Sequence, residues 1–491
     1  MLRQTVYDQS LLVEGDGIWR TALANRLSPI MENDAYFAAL SAALDKAEKS
    51  VLVLGWQFDP RTWLDPQSAD YDRSEEIGER LKRMVKSRPE LDVRLLIWRS
   101  PILIAASQGF YPHKALKFFK KRMVRLELEG VGLLGACHHQ KVVIIDDKVA
   151  FCGGGDISVD RWDEEGHFSG DPRRCMPSGL IPSPRHEWMC VVDGEAARLL
   201  GDLVRQRWKK ATGEVLPVVE TDTDPWPTHV EPLFHDIQMG LSRTYPAVRG
   251  MEEVRENETL FLDLIKSAKS LIYMENQYFT SPLVAKAIAD RLSEPDGPEV
   301  VLVSTGRSPS WFDGLTMDTA RAEVLWRLEK ADLHDRFYAF YPVTRRGDRI
   351  IVHAKMTIID DKLMRIGSSN LNNRSMGVDT ECDLSFEART EQERAQIRRL
   401  RQHSIGHFIG VTTEDFAEAE SLLGGIGKSI ATFGKARMKV MGLRQPTRIE
   451  RMFAEWQLGD PTSARDAWRP WRRRHLTRST RPRSEGGTAA G

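Results

Sequence analysis

A short motif that occurs twice constrains this chain more than any other feature of its sequence. Each copy reads His-x-Lys-x4-Asp and is followed, at the same interval, by a glycine-rich run that ends in Asp or Asn. The first copy contains His139, Lys141, Asp146 and Asp156, and the second contains His353, Lys355, Asp360, Ser368 and Asn370. Corresponding positions are 214 residues apart throughout. Because the register is kept over both segments, we predict two similar halves that contribute to a single site.

The segments that precede the two copies also repeat. Helical spacing of apolar residues over 35–49 and 257–269 is followed, in each half, by a strand-like run that opens with serine. Further apolar runs at 92–98 and 299–304 have the character of strands. Helix and strand therefore alternate in both halves, which predicts an α/β sandwich made by duplication.

Composition shifts divide the chain into four parts. We predict an N-terminal α/β domain over 1–212, a linker over 213–232, a second α/β domain over 233–430 and a basic, partly disordered tail over 431–491. A Thr-Thr-Glu-Asp signal predicts a terminal helix over 412–428.

The spacing within the motif predicts how its side chains are arranged. His and Lys are two residues apart on a β-branched segment, so both emerge on one face of a strand. The Asp-Asp-Lys that follows predicts a hairpin, which places the first glycine of the glycine-rich run beside the motif lysine. Asp146 and Asp360 fall on the other face, where we expect them to hold the turn or anchor backbone amides.

These residue types suit phosphodiester transfer without a metal. One imidazole can attack phosphorus and form a phosphohistidine, while a second imidazole protonates the leaving alkoxide. Lysine, serine and asparagine side chains can hold the phosphoryl oxygens and stabilise charge in the transition state. We therefore expect catalysis by the two His/Lys pairs. The expected phosphate-binding residues are Asp156, Ser368 and Asn370.

A catalytic histidine also needs an acceptor for its second nitrogen. Glu381 lies 28 residues after His353 on a predicted strand and is the expected partner of that histidine. Glu187 is the corresponding candidate for His139, across a polar insertion at 163–184.

Two further positions leave alternatives open. Glu275, Asn276 and Gln277 end a predicted strand, where a structural hydrogen-bonding role and substrate contact fit equally well. His138 should point away from His139 and pack behind the site.

The sequence HHQKVVIIDDKVAFCGGGDISVDRWD resembles the first motif of phospholipase D enzymes, and YMENQYFTS and VHAKMTIIDDKLMRIGSSNLNNRSMGVDTE resemble their second half. The resemblance extends over about 31–408. It implies two similar α/β/α sandwich domains related by pseudo-two-fold symmetry, with the active site at their interface. By the usual order in related enzymes it makes His139 the nucleophile and His353 the general acid. The first half departs from the second by having Gly154 and Asp156 at the positions of Ser368 and Asn370.

The resemblance implies an enzyme that hydrolyses phosphatidyl esters, or transfers the phosphatidyl group to an alcohol, without a cofactor. The expected partners are a phospholipid at a membrane surface and a water or alcohol acceptor, and one chain suffices for a complete site. A cardiolipin-synthase-type transferase would use the same chemistry but generally has N-terminal membrane segments. The zero net charge and the Arg161-Trp162-Asp163 sequence argue against a nuclease. The two intact motifs argue against a binding protein without enzymatic activity.

Composition sets further limits. No signal peptide and no apolar run of membrane-spanning length is expected, and the odd count of five cysteines favours free thiols. No zinc-type ligand spacing occurs. We therefore expect a cytoplasmic protein that can bind the inner face of the membrane peripherally. Trp468, Trp471 and Arg472 in the tail fit membrane contact and a solvated tail equally well.

Overall fold

The computed structural model describes most of the chain. The described residues are 10–66, 75–100, 111–119, 124–132, 135–248, 252–308, 311–442, 447 and 459–463. The helices are α1 (Asn33–Lys46), α2 (Ile77–Ser87), α3 (Tyr111–Phe118), α4 (Gly194–Thr212), α5 (Glu256–Ser267), α6 (Pro282–Leu292), α7 (Trp311–Ala331), α8 (Asn373–Gly377), α9 (Glu391–Ile409), α10 (Thr413–Leu423) and α11 (Ile426–Phe433). Among the described helices, none combines the length and the apolar character needed to cross a bilayer.

The strands follow the same alternation with the helices in both halves. The strands of the first half are β1 (Arg20–Met31), β2 (Ser50–Gly55), β3 (Asp92–Trp98), β4 (Arg125–Glu129), β5 (Val142–Ile145), β6 (Val149–Gly153), β7 (Arg185–His186) and β8 (Trp188–Asp193). Those of the second half are β9 (Phe234–Tyr245), β10 (Val254–Arg255), β11 (Leu271–Asn276), β12 (Glu299–Ser304), β13 (Phe337–Pro342), β14 (Ile351–Val352), β15 (Lys355–Ile359), β16 (Leu363–Gly367), β17 (Glu381–Glu387) and β18 (Met438–Val440).

One continuous sheet joins the two halves. The long strands β1 and β9 pair antiparallel at its centre. Outward from β1 the order is β8-β6-β5-β2-β3-β4, and outward from β9 it is β17-β16-β15-β11-β12-β13-β18. The outer strands β2, β3 and β4 are parallel, as are β11, β12 and β13. The strand order and directions thus repeat from one half to the other, as duplication predicts, while pseudo-two-fold symmetry itself stays a prediction.

Helices cover both faces of this sheet. Alternate residues of β2 enter different cores: Val51 and Val53 pack with α1, α2 and α3, whereas Leu52 and Leu54 pack in a core that includes α4 and extends into the second half. In the second half, α5, α6 and α7 cover one face, and α9, α10 and α11 contribute to the shared core. This layering confirms the predicted α/β fold, since a strand buried on both faces needs apolar residues at successive positions.

The predicted elements agree with the structure except near the end of the second half. The runs at 92–98 and 299–304 are β3 and β12 without any shift in their bounds. The single helix predicted over 412–428 is wrong, because Gly424, at φ +66°, ends α10 and a second helix, α11, follows. The boundary predicted at 430 falls inside α11, and β18 then adds to the sheet beside β13. Most of the tail, including Trp468, Trp471 and Arg472, lies outside the described residues.

Each motif aspartate holds a neighbouring strand in place. Asp146 and Asp360 begin the β5–β6 and β15–β16 turns at φ +52° and +54°, conformations that Asp tolerates better than most residues. The carboxylate of Asp146 accepts the backbone amides of residues 48, 49 and 50 at 2.6–2.7 Å, where β2 begins. The carboxylate of Asp360 accepts those of residues 269, 270 and 271 at 2.7–2.8 Å, where β11 begins. Both aspartates therefore lie away from the histidines and anchor backbone amides.

Candidate active site

Each motif histidine reaches a carboxylate of the other half because each half extends a segment alongside the other half. His138 forms a parallel bridge with Thr380, just before β17. In the same way β14 pairs in parallel with β7, with Val352 opposite His186. One residue further along each pairing, His139 lies beside Glu381 and His353 lies beside Glu187. The same register, used twice, brings each histidine to a carboxylate of the opposite half.

The first of these pairs is built on a fully buried carboxylate. The Nδ1 of His139 lies 3.0 Å from Oε2 and 3.1 Å from Oε1 of Glu381. The hydroxyl of Ser368 donates to Oε2 at 2.5 Å, and that of Ser375 donates to Oε1 at 2.6 Å. These contacts fix the ring so that Nε2 of His139 is the nitrogen left for chemistry.

The second pair has less room and fewer hydroxyl donors. The Nδ1 of His353 contacts Oε2 of Glu187, and the backbone amide of Trp188 donates to Oε1 of the same carboxylate at 3.3 Å. Gly154 occupies the position that corresponds to Ser368, and a Cβ built there would lie 2.2 Å from Oε1 of Glu187. The glycine is therefore required by the close approach of the carboxylate.

This crossed pairing corrects the prediction that each histidine would use a carboxylate of its own half. The prediction relied on distance along the chain, which places Glu381 28 residues after His353. Pairing of β7 with β14, and of His138 with Thr380, instead exchanges the partners. The residues predicted to orient the histidines are present, but in the opposite combination.

The motif lysines lie next to their histidines. The Nζ of Lys141 donates to the backbone oxygen of His139 at 2.6 Å and lies 3.4 Å from Oδ2 of Asp156. The Nζ of Lys355 contacts the backbone oxygen of His353 and lies 3.1 Å from its Nδ1. The lysines are almost completely buried, so their charges act in a site of low polarity, where they are worth more than in water.

Two of the predicted phosphate-binding residues have other partners. Asp156 accepts the backbone amides of residues 56 and 57 through Oδ1 and holds Lys141 through Oδ2. These contacts give Asp156 a role in positioning Lys141. Ser368 donates to Glu381 and accepts the amide of Cys382 at 3.0 Å, so its hydroxyl is committed to the carboxylate. Phosphate binding by Asp156 and by Ser368 stays a prediction that these contacts do not favour, and Asn370, which is buried, stays a candidate phosphate ligand.

Burial and mutual repulsion shape the charges of the site. Burial lowers the pKa of both motif histidines, and the charges of Lys141 and Lys355 lower it further. Burial also lowers the pKa of Lys355 to about 7, although Glu187 opposes the shift. Burial raises the pKa of Glu187 to about 7 and that of Glu381 well above its usual range. A bound phosphodiester anion would favour the charged form of both lysines, and its negative charge would balance theirs.

Three residues near the site were not assigned a role from the sequence. The ring of Trp56 meets that of His139 edge-on at 6.3 Å, and Nζ of Lys141 lies 5.9 Å from the Trp56 ring centroid. Arg161 and Arg185 are buried, and their charges lower the pKa of His353. Trp56 directly follows β2, and Gln277 directly follows the corresponding strand β11 of the second half. This equivalent position was the signal in the sequence from which Trp56 could have been predicted.

Two of the three positions left open at the end of β11, Glu275 and Asn276, have structural roles. The carboxylate of Glu275 accepts from His186 at 2.6 Å, from Trp188 Nε1 at 2.7 Å and from the hydroxyl of Tyr273 at 2.6 Å. Asn276 accepts the amide of Leu371 at 3.1 Å. His138 is completely buried, with its Nδ1 3.8 Å from Glu129, which agrees with packing behind the site.

Comparisons with known proteins extend these observations. A family model described as "Cardiolipin synthase, PLD-like domain" matches residues 261–401. Phospholipase D A of Dictyostelium discoideum is 24% identical over 436 residues, which cover 76% of this chain and 33% of that protein. Phospholipase D delta of Arabidopsis thaliana is 22% identical over 568 residues, which cover 80% of this chain and 65% of that protein. The chain thus spans about a third to two thirds of the length of these relatives.

The fold is also similar to that of a solved structure. Phosphatidylserine synthase of Haemophilus influenzae superposes with a TM-score of 0.55 at 12% identity, and the match covers 94% of each chain. This likeness concerns the fold, which includes a large central sheet covered by helices. The family model, the phospholipase D relatives and the paired motifs together show that the chain is similar to proteins of the phospholipase D superfamily.

Proposed function

We propose that the protein is a phospholipase D-type phosphodiesterase that hydrolyses phosphatidyl esters, or transfers the phosphatidyl group to an alcohol, through a covalent phosphohistidine. The observation that carries the proposal is the pair of crossed His–Glu contacts flanked by two buried lysines. Each Nδ1 faces a carboxylate, so two Nε2 atoms remain for chemistry. Two similar but unequal imidazoles are what a double displacement at phosphorus requires.

In the first step His139 acts as the nucleophile. Its neutral Nε2 forms a bond to phosphorus, the bond from phosphorus to the leaving alkoxide breaks, and Nε2–H of His353 gives its proton to that oxygen. Glu381 stabilises the imidazole ring of His139 as it gains positive character. Lys141 and Lys355 stabilise the charge that builds up on the phosphoryl oxygens.

In the second step His353 acts as a base. It takes a proton from water or from an alcohol, whose oxygen forms a bond to phosphorus while the bond to His139 breaks. Water yields phosphatidate, and an alcohol yields a new phosphatidyl ester. Burial and the neighbouring cations lower the pKa of His353, whereas the negative charge of the bound phosphodiester favours its protonated form. His353 ends the cycle protonated, as it began, so that protons and bonds balance. Trapping of the phosphoryl group on His353 would reverse the two roles.

A cardiolipin-synthase-like phosphatidyltransferase is the second candidate. The family model that matches residues 261–401 carries that description, and the two activities differ in the acceptor rather than in the covalent step. The site therefore supports both, and the natural acceptor has to be determined by assay.

One assay separates these functions. The full chain is incubated with phosphatidylcholine, phosphatidylglycerol or single-stranded DNA, with and without a primary alcohol. We expect phosphatidate from phosphatidylcholine, and a phosphatidyl alcohol when the alcohol is present. Cardiolipin formed from phosphatidylglycerol, with no phosphatidate, would favour the transferase, and cleavage of DNA alone would overturn the lipid assignment.

A matched pair of lysine variants tests the site itself. Lys355→Met should lower turnover by about 100-fold or more, the usual cost of removing a group that stabilises transition-state charge. Lys362 lies in the turn of the same hairpin, where it pairs with Glu387 at 2.7 Å, so Lys362→Met should leave turnover unchanged. Equal turnover of both variants would contradict the assigned site.

We also propose that the protein reaches its substrate by peripheral binding at an anionic membrane surface. The arginines and tryptophans of the tail support this proposal by composition. Removing the residues after Pro461 should weaken binding to anionic vesicles and leave turnover of a soluble phosphodiester unchanged. Unaltered vesicle binding would exclude the tail from this role.

A further inference from the structure

A cluster of one glutamate and three histidines lies behind the Glu187–His353 pair. It consists of Glu32, His167, His186 and His407, and one ligand atom of each lies within 4.8 Å of those of the others. Their side chains are at most 5% exposed. No step of the proposed reaction uses this cluster.

The four residues come from distant parts of the chain. Glu32 follows β1, His167 lies in the insertion at 163–184, His186 ends β7 and His407 lies in the last turn of α9. Glu32 and His167 adopt φ +67° and +43°, which residues other than glycine rarely do. The backbone thus takes unusual conformations at two of the positions that direct side chains to this point.

Three of the distances within the cluster are close to the separation of ligands around a small tetrahedral cation, and the contact between His186 and Glu32 is shorter. Nε2 of His167 lies 3.3 Å from Oε1 of Glu32 and 3.3 Å from Nε2 of His407. Nε2 of His407 lies 3.7 Å from the same glutamate oxygen, which Nδ1 of His186 also contacts. With metal–nitrogen bonds of about 2.0–2.1 Å, tetrahedral geometry places ligand atoms about 3.3 Å apart.

Two of the histidines are oriented from behind by carboxylates. Nδ1 of His167 lies 2.8 Å from Oδ2 of Asp163, and Nε2 of His186 lies 2.6 Å from Oε2 of Glu275. A carboxylate on the far nitrogen is the arrangement that fixes the tautomer of a metal-binding imidazole and raises its basicity.

The charges around the cluster balance a divalent ion. Glu32, Asp163 and Glu275 supply three negative charges, and Arg174, 2.7 Å from Asp163, supplies one positive charge. With neutral imidazoles, two negative charges remain. Either one divalent cation or two protons on imidazoles can neutralise them, and these are the two states that an experiment must separate.

We propose that Glu32, His167, His186 and His407 bind one Zn²⁺ ion. Three imidazoles and one carboxylate suit this borderline-soft ion. The four ligands complete a tetrahedron and the cluster is buried, so the ion has a structural role. It joins both halves of the chain, because His407 belongs to the second half. The spacing of these residues along the sequence gave no metal signature, and the expectation of a metal-free chain is revised accordingly.

The ion would also position the second His–Glu pair. The backbone oxygen of His186 accepts the amide of His353 at 2.8 Å, and the amide of Glu187 donates to Oε2 of Glu32 at 3.3 Å. The four residues of the cluster are therefore positioning residues, which act through His353 and Glu187. The zinc proposal does not depend on which phosphodiester the enzyme uses.

The test measures metal in the full chain, purified after expression in zinc-supplemented medium. Mass spectrometry of metal content should give about one zinc per chain, and X-ray absorption at the zinc edge should show three imidazole nitrogens and one oxygen. Cobalt substitution should give the visible absorption of a tetrahedral site. A wild-type protein that retains no zinc and binds no added Zn²⁺ or Co²⁺ would overturn the proposal, and the cluster would then be neutralised by protons on His167 and His186.

A pair of variants on one helix sharpens the test. His407→Gln should lower zinc affinity by at least about 100-fold, since it removes a ligand. His403, one turn earlier on α9, contacts Glu165 on the surface at 3.0 Å, so His403→Gln should bind zinc as the wild type does. Retention of zinc by His407→Gln at wild-type affinity would contradict the assignment. If His407→Gln does not fold, X-ray absorption of the wild type decides, because it counts the imidazole ligands directly.

Discussion

The crossed contacts predict which histidine each carboxylate serves. Glu381→Gln removes the carboxyl group that lies 3.0 and 3.1 Å from Nδ1 of His139. Burial raises the pKa of Glu381, but the positive charge that His139 gains on attack favours the charged carboxylate. A hydrogen bond to a charged group contributes about 1.5–3 kcal/mol. If that stabilisation is expressed when His139 attacks phosphorus, the attack should slow by about 10- to 150-fold. Glu187→Gln should have a comparable effect on the steps in which His353 transfers a proton.

A substrate with a good leaving group separates the two effects. A phosphodiester of p-nitrophenol needs little acid catalysis, so its burst of nitrophenol reports the attack by His139 alone. We expect Glu381→Gln to slow this burst and Glu187→Gln to leave it near the wild-type rate. With phosphatidylcholine, whose alkoxide must be protonated, both variants should be slow.

A control on the same strand accompanies the experiment. Glu387 lies at the other end of β17 and pairs with Lys362 at the surface, so Glu387→Gln should leave both rates unchanged. Nuclear magnetic resonance of labelled histidine provides a direct readout, because Glu381→Gln should shift the Nδ1–H signal of His139 and not that of His353. The opposite result would refute the crossed pairing, and equal loss of the burst in both glutamate variants would refute the division of roles.

Three other outcomes follow from the structure. Gly154→Ala should lower turnover at least about 10-fold, because its Cβ would lie 2.2 Å from Glu187 Oε1, and steady-state assay with phosphatidylcholine measures this. Asp146→Asn should lower the free energy of unfolding by about 1.5–3 kcal/mol in urea titration, because the carboxylate accepts three backbone amides. Burial alone would raise the pKa of Asp361, but its hydrogen bonds to Arg401 and the charge of that arginine lower it overall. The stabilisation by Asp361 is therefore present above its unfolded pKa of about 3.9. It is lost as the pH falls through the lower pKa of the folded state. The free energy of unfolding of Asp361→Asn should thus be below that of the wild type at pH 7, and the difference should be smaller at pH 3.

Matched controls exist for each of these variants. A Cβ at Gly130 would meet no atom within 4 Å, so Gly130→Ala should keep full turnover. Asp236 is exposed and also has a positive φ, +48°, so Asp236→Asn should change the free energy of unfolding by less than about 0.5 kcal/mol. A constant difference between wild type and Asp361→Asn from pH 7 to pH 3 would contradict the assigned ion pair.

The sequence was most informative where function depends on local spacing. Residues two apart on an extended segment share a face in any β structure, so the His/Lys pairs could be predicted without knowledge of the fold. The strands β3 and β12 were predicted with their observed bounds because both faces of the sheet are covered and each strand contains a run of four apolar residues.

The parts that depend on tertiary pairing could not be predicted in the same way. The exchange of Glu187 and Glu381 requires the short pairing of β7 with β14, and two-residue strands leave no pattern in a sequence. Ser375, which holds Glu381, lies on the short helix α8 and became visible only once that helix was placed. The cluster of Glu32 and three histidines was not predicted from the sequence for a similar reason, because its members are far apart along the chain.

The exchange of carboxylates has a consequence for how such a chain could be divided. A fragment that ends in the linker would hold His139 without Glu381, and the remaining fragment would hold His353 without Glu187. Neither fragment could orient its histidine alone, whereas mixing the two could restore both contacts in trans. A dimer of two identical fragments would contain two histidines in identical surroundings. In the proposed mechanism, covalent fusion of unlike halves is thus what allows one histidine to specialise in attack and the other in proton transfer.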